Sequence, residues 1–65
     1  MTVDECIIEY VLKNKGKEKG LVEIKEELFL LLKSKCNYKL DVRTIRGKEI
    51  LEEVREKIGN EHIRN

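Results

Sequence analysis

Six cations fall between positions 33 and 48: Lys33, Lys35, Lys39, Arg43, Arg46 and Lys48, with Asp41 as the single acid among them. The local excess is five charges in a chain whose formal total is +1, so the remainder carries a net −4. Ammonium and guanidinium groups at this density form an electrostatic footprint for a polyanion. A plain solvated lysine face produces the same composition, so spacing must separate the two.

Other residues capable of chemistry are sparse. Cys6 and Cys36 each stand in an apolar setting, far apart in sequence, and read as reduced buried thiols. No Cys-x-x-Cys pair occurs and His62 is the single histidine, which leaves no zinc spacing. His62 reads as a solvated tail residue. Glu52 and Glu53 are neighbours on one helix and point apart, so they read as surface charges. Gly16-Lys17 is followed by Glu18, which is not the Gly-Lys-Ser/Thr opening of a phosphate-cradling loop. No serine–histidine–acid arrangement is present, so the reading is not an enzyme, with no cofactor, no metal and no small-molecule substrate.

The elements that must position the basic segment are helical. Thr2 and Glu5 form a capping box, and Val3, Ile7, Tyr10 and Val11 follow at helical spacing, widened by Ile8 and Leu12. This predicts a first helix over about 3–15, with Gly16 suited to a left-handed stop. Residues 14–20 carry two glycines and three lysines and predict an exposed turn. Leu21, Ile24, Leu28, Leu31 and Leu32 predict a second helix over about 21–35. Phe29 and Leu30 lie off that stripe. Apolar residues around most of a helix call for a second covering surface, and Phe29 and Leu30 are the expected homodimer interface. Ile50, Leu51, Val54 and Ile58 predict a last helix, stopped by Gly59-Asn60.

Between these helices lies Leu40-Asp41-Val42-Arg43-Thr44-Ile45-Arg46-Gly47-Lys48-Glu49. Tyr38, Leu40 and Val42 alternate with Lys39, Asp41 and Arg43 at a period of two, so a short strand near 38–45, pairing with its twin in a dimer, is one reading. The other is helical. Leu40 to Arg46 resembles the Val-Ser-x-x-Thr-Ile-Arg opening of recognition helices in winged-helix bacterial repressors of the sugar-operon and arginine-repressor type. Val22 to Leu28 resembles that family's first motif helix, so the resemblance spans about 22–50. It implies Asp41 as the helix N-cap and Ile45 packed inward. It implies Arg43 and Arg46 on phosphates or guanine edges, Thr44 on phosphate or a thymine methyl, and Lys39 and Lys48 on phosphates. Gly47 departs from the pattern. It stands between Ile45 and Ile50, whose separation of five residues does not keep both on one helical face, and glycine within a helix costs about 1 kcal/mol relative to alanine.

Sixty-five residues allow one domain, expected over 1–60 with a frayed tail at 61–65. The fold expected is an all-α three-helix bundle of helix-turn-helix type. The longest apolar run, Leu28 to Leu32, is far short of a bilayer span, and no signal peptide is visible, so a soluble cytoplasmic protein is expected. The expected function is a small transcriptional regulator binding double-stranded DNA as a homodimer. The alternative is a helical protein-binding adaptor or inhibitor without a nucleic-acid role.

Overall fold

Three helices, α1 (Val3–Asn14), α2 (Leu21–Cys36) and α3 (Ile45–Ile58), make up the computed structural model, which describes residues 1–59. The expected tail at 61–65, with His62, lies outside the described residues. No strand occurs among the described residues, so the ribbon reading of 38–45 gives way to an all-α bundle.

α1 starts at a complete capping box. The Glu5 N–H donates to Thr2 Oγ1 at 3.1 Å and the Thr2 N–H donates to Glu5 Oε1 at 2.9 Å. The Thr2 backbone N–H, and then the Thr2 hydroxyl, hold the Glu5 carboxyl below its usual range. Gly16 takes up φ 82°, open to glycine at little cost, and its N–H donates to the Ile58 carbonyl at 3.0 Å. This bond ties the end of α1 to the end of α3. At the opposite pole the Cys36 thiol donates to the Thr2 carbonyl at 3.3 Å, joining the end of α2 to the start of α1. α1 and α3 therefore run the same way and α2 runs against them. α2 ends on Asn37 in the left-handed conformation, whose N–H reaches the Leu32 and Lys33 carbonyls, with the Tyr38 N–H on Leu32 as well.

The core is Cys6, Ile7 and Tyr10 from α1, Ile24, Leu28 and Leu32 from α2, Leu40 from the link, and Ile50, Leu51, Val54 and Ile58 from α3. The α1 stripe is narrower than its sequence suggests, because Ile8 and Leu12 are exposed. Asn14 is buried and its side-chain amide donates to the Tyr10 carbonyl at 2.9 Å. A polar cluster joins α1, α2 and the turn between them. The Tyr10 hydroxyl and the Lys19 ammonium each donate to Glu27 Oε1 at 2.7 Å. Lys19 and Tyr10 together hold the Glu27 carboxyl below its usual range, while burial and then Glu27 push the Tyr10 hydroxyl up. No helix among the described residues is long and apolar enough to cross a membrane.

Candidate nucleic-acid interface

Residues 37–44 join α2 to α3, longer than the three or four residues of a tight helix-turn-helix turn. Tyr38, Leu40 and Val42 turn inward and Lys39 and Arg43 outward, so the period-two pattern is kept by an extended link without a strand partner. The link closes on a turn built by Asp41. Its Oδ1 accepts from the Arg43 N–H at 3.0 Å, the turn chemistry expected of aspartate two residues before a donor. Its carboxylate also takes the Arg43 guanidinium through both oxygens, at 3.0 and 3.1 Å. The pairing holds Asp41 below the usual carboxylate range and Arg43 above its own.

Thr44, not Asp41, is the N-cap of α3. It lies in the extended region at φ −88° and ψ 160°, and its Oγ1 accepts from the Gly47 N–H at 3.0 Å. The same hydroxyl donates to the Asp41 carbonyl at 2.7 Å, and the Thr44 N–H reaches that carbonyl at 3.1 Å. Asp41 therefore builds the turn and Thr44 starts the helix. Two expectations change with this shift of three residues. Ile45 does not pack inward; it is 78% exposed. Gly47 is no slip in the pattern. It begins the buried stripe Gly47, Ile50, Leu51, Val54 and Ile58, from which Ile45 is out of phase. A Cβ at Gly47 would fall on the Asp41 carbonyl, so the turn can fold over the helix only if this residue is glycine.

Four of the five residues expected at a nucleic-acid surface sit in two groups, on either side of Thr44. Lys39 and Arg43 are exposed on the link, with the Arg43 side chain 88% exposed despite its partner. Arg46 and Lys48 are exposed in the first turn of α3. At 100° per residue they occupy opposite flanks of that turn, with Ile45 and Glu49 outward between them. Arg46 leans toward α1, 3.9 Å from Asp4. The Thr44 hydroxyl is engaged as donor and acceptor by its own chain, which leaves its methyl group as its free contact. Lys33 and Lys35, in the last turn of α2, are exposed at the same pole.

No acid stands in the first turn of α3. The positive end of a helix is stabilised by anions, so cations there oppose the helix dipole. Free N–H groups, that dipole and two cations together make a place for an anion from outside. Beside the link lies a shallow groove of about 500 Å³ lined by Phe29, Leu30, Leu40 and Val42 and by a mixed set of charges, Lys25, Glu26, Lys39, Asp41 and Arg43. Leu30 is 66% exposed and Phe29 half-buried, which places the two expected interface residues on this groove. Lys25 was not singled out by the sequence pattern, because its position depends on the path of the link.

The structure also brings together the two cysteines, which lie far apart in sequence. Both are free thiols, Cys6 buried and Cys36 half-buried. Burial, and then the neighbouring Cys36 thiol, push the Cys6 thiol up to about 11. No group of three or more histidine, cysteine or acidic side chains able to hold a metal gathers among the described residues. Comparison with family models, with curated proteins and with solved structures finds no match to this chain.

Proposed function

We propose that this chain is a small cytoplasmic DNA-binding regulator acting as a homodimer, with residues 33–48 laid against duplex DNA. The observation that carries the reading is the cationic start of α3. Arg46 and Lys48 occupy a helix turn where acids would stabilise the fold, and exposed Lys33, Lys35, Lys39 and Arg43 lead up to it. The resemblance of Leu40–Arg46 to winged-helix repressor openings points the same way. In this reading Lys39, Lys48 and the free amides of α3 hold phosphates, and Arg46 and the Thr44 methyl face base edges. Arg43, exposed on the link and paired with Asp41, turns its remaining N–H groups to phosphate.

The homodimer is proposed through α2. Glu26 and Lys33 flank Phe29 and Leu30 symmetrically along its outward side. A two-fold axis between Phe29 and Leu30, with the copies antiparallel, sets Glu26 against Lys33 of the second copy and Leu30 against its Phe29. Such a self-complementary patch is what a two-fold interface requires.

Duplex binding measured against salt tests the reading. Affinity should fall steeply with salt, and Lys39→Ala, Arg43→Ala and Lys48→Ala should each reduce the slope by about one phosphate contact. Absence of binding at low salt would overturn it. The groove favours one second reading, an adaptor that takes an apolar helix of another protein. In that case Val42→Glu abolishes partner capture, and Arg46→Ala and Lys48→Ala, which lie outside the groove, leave it unchanged.

A further inference from the structure

The Cys6 backbone N–H and the Cys36 thiol converge on one acceptor, the Thr2 carbonyl, at 3.1 and 3.3 Å. The Cys36 thiol also lies within hydrogen-bond reach of the Cys6 thiol, so two free thiols on different helices meet at one point of the fold. Cys6 is 0% exposed, on the first turns of α1. Cys36 is half-buried and is the last residue of α2. We infer that Cys6 and Cys36 form a reversible redox site, in which a low-molecular-weight disulfide converts the two thiols into a bridge between α1 and α2.

The order of events follows from accessibility. The Cys36 thiolate, once its proton has gone to solvent, attacks one sulfur of the disulfide and forms a mixed disulfide. One molecule of the small thiol leaves with a proton. Cys6 Sγ then attacks Cys36 Sγ while its proton passes to the departing small sulfur, so the protein bridge forms and the second small molecule leaves as a thiol. Two protein thiols are oxidised and one small disulfide is reduced to two thiols, so atoms and electrons balance. The buried Cys6 waits behind Cys36, because an oxidant from solvent meets the half-buried sulfur first. The thiols are also next to the Thr2 carbonyl, the contact that ties α2 to α1 at the basic pole. A bridge replaces that weak thiol donation with a covalent link.

Closing the chain between residues 6 and 36 restricts the unfolded ensemble far more than the folded one. Oxidation should therefore raise Tm by on the order of 10 °C. The full chain is incubated with oxidised glutathione, and free thiols, intact mass and peptide maps without reductant are recorded. The expected product is a monomer that has lost two hydrogens, has no free thiol and links the Cys6 and Cys36 peptides, with the higher Tm and full reversal by dithiothreitol. Cys36→Ser, at a half-buried position, should remain without a bridge and keep its melting temperature under the same treatment. A stable glutathione adduct on Cys36 with Cys6 still free would overturn the inference. So would bridges between chains, or two thiols that stay reduced while Cys36 of unfolded chain reacts.

Discussion

Gly47 shows what a single side chain can decide. An exposed glycine in a helix interior is a weakness that alanine repairs by about 1 kcal/mol. Here the Asp41 carbonyl occupies the space of the missing Cβ, and that carbonyl also receives the Thr44 N–H and hydroxyl. Gly47→Ala must push the turn off the helix or bend the helix away. We expect it to destabilise by about 1–3 kcal/mol, the range of an overpacked site, in chemical denaturation. A neutral or stabilising Ala variant would mean that the turn does not rest on α3. The same contact explains why Thr44 takes the capping role that the repressor resemblance implied for Asp41. Both residues can cap a helix, and only the packing of the turn selects between them.

At the scale of elements, the join between α1 and α2 depends on one carboxylate. Glu27 accepts from Tyr10 and Lys19, and its folded pKa lies below the ordinary 4.5. A carboxylate lowered in this way adds stability that is present above its ordinary value and is lost as pH falls through the folded value. Glu27→Gln keeps an acceptor for the Tyr10 hydroxyl but loses the charge facing Lys19. Its Tm should lie below that of the parent at pH 7, and the gap should narrow as both are taken to pH values below the ordinary 4.5 and through the lowered folded value. A gap that is constant with pH would show that the ion pair contributes nothing. The pair is partly exposed, so the effect should also shrink with added salt.

For the molecule as a whole, the outward side of α2 leaves apolar surface exposed, with Leu30 at its centre. A domain of this size buries about 60% of its unfolded surface, and association commonly supplies the rest. The proposed two-fold pairing makes a charge-reversal prediction. Glu26→Lys should set like charges together and dissociate the dimer, as should Lys33→Glu, and the double reversal should restore it. Sedimentation equilibrium reads all three. A parent chain that is monomeric at high concentration would remove the pairing, while DNA binding through the basic pole would remain separately measurable.

The helices were legible in the residues themselves. The capping box, the stripes of α2 and α3 and the glycine stop act between residues three or four apart, so sequence spacing carries them. The alternation from Tyr38 to Arg43 also named the inward and outward sides correctly, although the backbone there forms no strand. Tertiary packing decided the rest. It alone sets Asp41 over Gly47 and so moves the start of α3 to Thr44 and turns Ile45 outward. It alone brings Cys6 to Cys36 and Lys19 to Glu27. The six cations and their place around one chain reversal were evident in the sequence, because they fall within the single segment 33–48, whereas contacts between distant segments leave no periodic trace in a sequence.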